Sequence, residues 1–531
     1  MRRILTREAV RGPSLRSGGR SDRVDPVRGS PDDRDLGGAV GVPPLREGTV
    51  AEQLLIAGEW VPAASGRVSE TFDPASGAKL AEFAEAGSAD VDVAVAAART
   101  AFEDPDWRDL SPDARGRLLW KVADLIERDA TALAELETHD QGMPIALTTN
   151  VNVTLAAQVF RYYAGWATKI EGKLSSVSVP DTLHYTRREP LGVVGLITPW
   201  NFPFAIAAWK LAPALATGNT VVLKPAEQTP LSTLKLGALC LEAGIPAGVV
   251  NVLTGGPEVG KALVAHRGVN KISFTGSTEV GQQIAGVAAA DLKRVSLELG
   301  GKAPSIITRG ADIDAAVMGN LQGALFNTGQ ACGAYTRFYV DAKRADEFTE
   351  KIAAAAQTLK IGPGIDFDTV LGPLVSQEQL DRVTGYVNGG VEQGAQLVTG
   401  GKRASGAGLD DGYFFTPTVF SGVRDDMTIA REEIFGPVLS IFSYEDEDEV
   451  IARANDSDYG LAAVLWTQDL TAAHRLAARI HAGTVFVNQL PLIDPGAPWG
   501  GFGLSGWGRE MGTYALDEFT ETKGVWVNLA R

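Results

Sequence analysis

From residue 190 onward, short runs of β-branched and aliphatic residues alternate with longer stretches of helical period. The runs cover 193–198, 220–224, 249–253 and 271–275, and the helical stretches between and after them cover 205–216, 231–243, 258–265 and 279–289. Strands buried on both faces read as continuous apolar runs, and each parallel pair needs a crossover helix. The pattern therefore predicts a doubly wound α/β sheet of the dinucleotide-binding (Rossmann-type) class. A second β/α alternation, from about residue 301 to 488, predicts a second α/β domain.

Upstream, order is expected to begin near Leu54, where L-L-I-A-G-E-W-V reads as a strand. Ser111 followed by Pro112 is a helix start: a side-chain cap, then a ring already set at helical φ. Leu118, Leu119, Val122, Leu125 and Ile126 then share one helical face, and Gly142 with Pro144 closes the region. Residues 1–50 mix Arg and Asp with Gly, Ser and Pro and show no apolar periodicity, so a disordered N-terminal extension is expected there. They lack the apolar segment of a secretory signal and carry too many acids for a transit peptide. No fixed-period repeat is apparent.

Composition narrows the class. A chain of 531 residues is too long for one simple core, which favours two or three domains. A net charge of −16 argues against a nucleic-acid surface, and no apolar run approaches the roughly 18 residues needed to span a bilayer. Two cysteines, Cys240 and Cys332, are too few for a disulfide framework, and the five histidines show no metal-ligand spacing. No metal is expected, and a reducing cytoplasm fits best.

Ligands of doubly wound sheets sit at the carboxyl ends of the strands, so the loops there matter most. After K-I-S-F-T comes G-S-T-E-V-G, in which Gly276 and Gly281 bracket a helix start whose free N–H groups, with the Ser277 hydroxyl, suit a pyrophosphate. A tight turn without ligand explains it equally well. The strand ending at Lys224 runs into Pro225, Ala226 and Glu227. Lys224 and Glu227 can bond the hydroxyls of an adenosine ribose, and the carboxylate would repel a 2′-phosphate, favouring NAD over NADP; the plain alternative is an exposed salt bridge. In Pro199-Trp200-Asn201-Phe202-Pro203, two prolines hold one amide rigidly, as an oxyanion hole requires, although a helix-capping Asn competes. Glu298 lies between leucines in L-E-L-G-G-K, where partial burial would raise its pKa toward that of a general base; a buried acid paired with a backbone N–H explains it equally well. Small residues surround Cys332 in F-N-T-G-Q-A-C-G, and Gly329 and Gly333 allow a bend that would expose the thiol. Cys240, in G-A-L-C-L-E-A, reads as core.

Taken in order, P-W-N-F-P, K-P-A-E-Q-T-P-L, F-T-G-S-T-E-V-G, L-E-L-G-G-K, G-Q-A-C, E-E-I-F-G-P-V and P-W-G-G-F-G-x-S-G-x-G-R-E-M-G closely resemble the signature series of the NAD(P)-dependent aldehyde dehydrogenase superfamily, over about residues 54–528. The resemblance implies Cys332 as nucleophile, Glu298 as general base and Asn201 as oxyanion-stabilising amide. It implies cofactor contacts from Lys224, Glu227, Gly276, Ser277, Thr278, Gly281, Glu433 and Phe435, with Trp200 beside them. It places Phe202, Ile206, Trp209, Phe326, Ile493 and Trp499 along the substrate tunnel.

The implied reaction is NAD-dependent oxidation of an aldehyde to its acid through a thiohemiacetal and a thioester. Glu298 favours hydrolysis over transfer to coenzyme A. An uncharged pocket favours apolar or aromatic aldehydes, with betaine aldehyde kept open by Trp209 and Trp499. A thiol-dependent esterase or acyltransferase at Cys332, and a catalytically silent binding protein, are the competing classes. The implied organisation is an NAD-binding domain over 51–172 and 189–300, a catalytic domain over 301–505, and a small β oligomerisation element over 173–188 and 516–531. A homodimer or homotetramer is expected.

Overall fold

The four apolar runs become adjacent parallel strands, and Arg294–Glu298 adds a fifth. A computed structural model of the protein describes residues 53–406 and 408–530; the expected disorder of 1–50 lies outside the described residues. Strands Val193–Ile197, Thr220–Lys224, Val250–Val252 and Lys271–Thr275 are buried at every position, which is why they show no alternation. Each Val, Leu or Ile so buried contributes about 1.5–3 kcal/mol.

Chain direction across this sheet decides where a ligand can sit. From Val193–Ile197 the chain steps outward through Thr220–Lys224 to Val250–Val252. It then returns to add Lys271–Thr275 and Arg294–Glu298 on the other side. The reversal lies between Val193–Ile197 and Lys271–Thr275, and the crevice beyond such a reversal is the ligand site of doubly wound sheets. Asn201 and Ser277 follow these two strands.

The sheet has antiparallel additions at both edges. L-L-I-A-G-E-W-V is not one strand but a hairpin, Leu54–Ile56 against Glu59–Val61. Ala57 and Gly58, at φ 54° and 84°, turn the chain between them, as a two-residue hairpin loop demands. At the other edge Gly506–Trp507 pairs with Arg294–Glu298.

A second sheet runs Thr418–Ser421, Val438–Tyr444, Tyr335–Asp341, Ala303–Ile307, Ala462–Trp466 and Thr484–Val487, all parallel, with Gln396–Thr399 antiparallel at its edge. A third, antiparallel sheet joins Leu174–Ser175, Thr182–Pro190 and Thr520–Asn528, so the two segments flagged for oligomerisation pair with each other within the chain. Among the described residues, no helix is long and apolar enough to cross a membrane.

Ser111 caps the Pro112–Arg128 helix, its hydroxyl accepting from the Ala114 N–H at 3.2 Å. Leu119, Val122, Leu125 and Ile126 are buried, while Leu118 is half-buried at the edge of the same face. The next helix, Ala130–Gln141, ends on Gly142 at φ 91°. One turn of π-helix, Thr148–Val153, then leads into Thr154–Trp166. Nothing in the residue pattern announces this wider turn.

Candidate active site

The crevice at the strand reversal holds a cavity of about 260 Å³ whose wall carries polar and charged side chains, hereafter the polar cavity. Trp200 and Asn201 line it from one strand end, Gly276 and Ser277 from the other, and Glu433 and Phe435 from the second sheet. Cys332 lines it too, and also lines a second, largely apolar cavity of about 250 Å³. One sulfur-bearing residue therefore stands at the junction of two chambers of different chemistry.

The loop before Cys332 turns through consecutive left-handed residues: Asn327 at φ 48°, Thr328 at φ 58° and Gly329 at φ 79°. For a β-branched residue such as Thr328 this conformation is strained and must be held from outside. Its hydroxyl donates to the Gly372 carbonyl at 3.1 Å, and the Asn327 amide donates to the Asn201 carbonyl at 2.9 Å. The Gln330 side-chain oxygen accepts from the Val375 N–H at 2.9 Å. Gly329 is needed twice, for its φ and because a Cβ there would stand 2.3 Å from the Gly436 carbonyl oxygen. Gly333 lies with Cys332 in a turn closed by the Ala334 N–H donating to the Ala331 carbonyl at 3.0 Å, though without the positive φ that would demand glycine. It makes room for Trp499, whose ring would lie 2.9 Å from an added Cβ.

The Cys332 thiol is half-buried, and burial pushes its pKa up to about 12, with the charges of Glu433 and Glu298 adding to the effect. Cys240 is fully buried and likewise pushed up to about 12 by burial alone. Both cysteines are free.

Asn201 is buried, and its side-chain amide donates to the Gln330 carbonyl at 3.0 Å, leaving its second N–H uncommitted by that bond. Trp200 packs edge-on against Phe435, with ring centroids 5.2 Å apart. Glu298 lines neither cavity, though Leu299 and Gly300 beside it line the polar one. Its carboxylate is buried with neither oxygen hydrogen-bonded, and a Cβ on Gly500 would stand 2.8 Å from Oε1. Burial, reinforced by the Glu510 charge, raises its pKa well above the ordinary carboxylate range.

The residues flagged for a dinucleotide divide by position. Ser277 caps the Thr278–Ala289 helix, its oxygen accepting from the Val280 N–H at 3.3 Å. The Thr278 hydroxyl is engaged by the Leu504 carbonyl at 3.2 Å, and a Cβ on Gly281 would meet Leu299 at 2.5 Å, so Gly281 serves helix–strand contact. Lys224 is buried, donates to the Pro225 carbonyl at 2.9 Å and lies 3.5 Å from Glu227; burial lowers its pKa. Lys224, Glu227, Thr278 and Gly281 do not line the polar cavity itself. Glu433 accepts from the Gly301 N–H at 2.9 Å, and burial raises it to about 7. A Cβ on Gly300 would stand 2.3 Å from the Glu433 carboxylate, and the buried Thr275 hydroxyl has no partner. A helix N-terminus, a glycine-opened wall and an unspent hydroxyl around one crevice fit a dinucleotide.

Gln379 and Arg382 complete the wall without any sequence motif. Gln379 donates to the Phe435 carbonyl at 2.8 Å, holding Phe435 at φ 61°, and Arg382 donates to the Glu433 carbonyl at 2.8 Å. Only their separation of one helical turn marks them as a shared face.

The apolar cavity is lined by Phe202, Ile206, Trp209, Phe326, Ile493 and Trp499, all six flagged for a tunnel. Phe202 and Phe326 stack at 5.6 Å. Asn150, Val151, Asn152, Thr154, Leu155 and Gln158 form another wall that no motif foretold, because the π-helical turn displaces the usual helical face. Among the described residues, no Asp, Glu, Lys, Arg or His lines this cavity. Among the described residues, no group of three or more His, Cys, Asp or Glu could hold a metal ion.

Residues 60–525 match the aldehyde dehydrogenase family. The DhaS protein of Bacillus subtilis (strain 168) is 52% identical over 479 residues, covering 90% of this chain and 96% of its own. The NAD+ complex of an aldehyde dehydrogenase from Bacillus cereus superposes with a TM-score of 0.89 at 47% identity, covering 91% of this chain and 97% of that one. A betaine aldehyde dehydrogenase from Staphylococcus aureus, also in complex with NAD+, gives a TM-score of 0.89 at 38% identity, covering 91% and 97%.

Proposed function

We infer, for a chain that belongs to the aldehyde dehydrogenase family, that it oxidises a neutral apolar or aromatic aldehyde to the carboxylic acid with NAD, using Cys332, Asn201 and Glu298. The observation that carries this is the position of Cys332, whose residue lines both the apolar cavity and the polar one.

The chemistry follows from what each group can do. An aldehyde entering through the apolar cavity presents its carbonyl carbon to the Cys332 sulfur. The thiol gives its proton to water and the sulfur adds to that carbon, giving a tetrahedral thiohemiacetal with the charge on oxygen. The uncommitted N–H of Asn201 and the Cys332 main-chain N–H supply the donors for that oxyanion. Bound NAD supplies the two-electron acceptor that turns the thiohemiacetal into a thioester. Glu298, its pKa raised above the ordinary carboxylate range by burial, takes a proton from water in its ionised form, and the water oxygen attacks the thioester carbon and releases the acid and the thiol. Ser277 at its helix N-terminus and Glu433 with Phe435 would hold the cofactor, with Lys224 and Glu227 at the adenosine end. Glu227, whose side chain is 40% exposed, disfavours a 2′-phosphate.

The uncharged lining supports a neutral substrate. Trp209 and Trp499 offer aromatic surface to a quaternary ammonium aldehyde, the second reading. Each is about 95% buried, however, and no carboxylate faces the cavity to balance the cation. Exposed Leu174 and Trp526 on the third sheet, with Leu529 just past its last strand, support association of copies through that face.

The test is growth of reduced-cofactor absorbance over an aldehyde panel, with and without coenzyme A. Hexanal and benzaldehyde should be turned over in preference to betaine aldehyde, without coenzyme A. Cys332→Ala should abolish turnover while retaining NAD binding. An active alanine variant would overturn the assignment.

A further inference from the structure

The Pro203–Ala216 helix begins two residues after Asn201 and has no side-chain cap of its own; Phe202 stands at its start with φ −140° and ψ 63°. The first N–H groups of a helix have no partner within it. Here Phe204 N–H donates to Glu137 Oε1 at 3.3 Å, and Ala205 N–H donates to Asn152 Oδ1 at 3.1 Å. Both acceptors come from other elements, Glu137 from Ala130–Gln141 and Asn152 from the π-helical turn. The Asn152 amide also donates to Glu137 Oε1, so the carboxyl group orients the amide that caps the helix. Glu137 is 0% exposed and Asn152 1%. No step of the chemistry above uses either.

What this pair holds has two faces. Phe202, Ala205, Ile206 and Trp209 line the apolar cavity, as does Asn152, while Asn201 lines the polar one. Asn201 Nδ2 in turn meets the loop that carries Cys332. We propose that Glu137 and Asn152 are positioning residues for Asn201: by satisfying the Phe204 and Ala205 N–H groups, they fix the start of the helix and hence the direction in which the Asn201 amide is presented. The π-helical turn has a purpose on this account, since it places one residue, Asn152, both in the tunnel wall and at the helix start. The proposal rests on Asn201 being the oxyanion donor.

A double-mutant cycle tests it. Because Asn152 lines an open cavity, truncating it does not hollow a sealed core. Asn152→Ala should lower kcat about 10- to 100-fold, as small misplacements at a reacting centre do, with NAD affinity by fluorescence quenching unchanged. In an Asn201→Ala background the same change should cost less than about twofold, because groups that act as a unit are not additive. Glu137→Gln keeps an acceptor oxygen at the same place and should retain kcat within about threefold of the parent. An additive loss in the cycle, an unchanged Asn152→Ala enzyme, or a Glu137→Gln loss as deep as that of Asn201→Ala each overturns the positioning role. If Asn201→Ala itself is fully active, the oxyanion assignment fails instead, and the two failures are told apart.

Discussion

The side-chain amide of Asn201 donates to the carbonyl of Gln330 at 3.0 Å, and the Asn327 amide returns a bond to the Asn201 carbonyl at 2.9 Å. These two bonds join the first sheet's strand-end loop to the loop of the thiol, across more than 120 residues of chain. The donor and the nucleophile are thus held in one frame before substrate arrives, as preorganised oxyanion stabilisation requires.

Asn201→Ala removes both the donor and one of the two ties. Turnover should fall about 100- to 1,000-fold, the usual loss for one oxyanion donor. Single-turnover absorbance reads this directly. A loss confined to KM would remove Asn201 from the chemistry.

Glu298→Gln should separate the two halves of the reaction. Reduced cofactor should appear as a burst of about one equivalent per site and then nearly stop, because a stalled thioester accumulates on Cys332. In the parent enzyme, kcat should rise with pH as Glu298 loses its proton, with an inflection above the ordinary carboxylate range. Absence of a burst from the Gln variant would show that Glu298 acts before oxidation.

Thiol labelling distinguishes the two cysteines. In the native, cofactor-free protein iodoacetamide should modify Cys332 alone, and both should react after denaturation. Since burial and the Glu433 and Glu298 charges push the Cys332 thiol to about 12, the rate should still be climbing at the alkaline end of a pH series. A plateau near neutrality, seen by mass spectrometry, would contradict that environment.

Gly329→Ala places a Cβ where φ is 79° and where the Gly436 carbonyl oxygen would be 2.3 Å away. The expected cost is at least about 1–3 kcal/mol, the scale of a strained backbone position, together with a large loss of kcat. Thermal melting and turnover measure the two effects. Gly333→Ala should act differently, displacing Trp499 and changing aldehyde preference more than stability.

The buried carboxyl groups of Glu137 and Asp140 are raised to about 8 and about 7, chiefly by burial. Their folded-state values exceed the unfolded ones, so the folded protein binds more protons between about pH 4 and 8. Their contribution to stability is fully present below the unfolded values and is lost as pH rises through the folded ones. Urea midpoints should fall from about pH 5 to about pH 8, and Glu137→Gln with Asp140→Asn should flatten that slope. An unchanged slope would assign it to other groups.

Much of the fold was legible because the inner strands are buried on both faces and their crossover helices separate them cleanly. The hairpin at residues 54–61 was less legible, since its turn depends on Ala57 adopting a positive φ that no alanine advertises. Glycine roles were half legible. Gly329 and Gly333 both lie in bends, but Gly333 must also be small because Trp499 arrives from far along the sequence. Gln379, Arg382 and Asn152 were invisible for the same reason: their partners are brought to them by tertiary packing.

Local sequence determined which residue types stand at the ends of strands: a cysteine among small neighbours, an amide between prolines, an acid between leucines. Those are short-range facts, settled by side-chain chemistry and by what each few residues of backbone can adopt. Only the assembled structure decided that Cys332 would line two cavities and that Glu298 would be buried outside both, with no hydrogen-bond partner among the described residues. It alone decided that Glu137 and Asn152 would meet the helix behind Asn201. Such outcomes depend on which distant surfaces exclude water against one another, and no local stretch of chain contains that information.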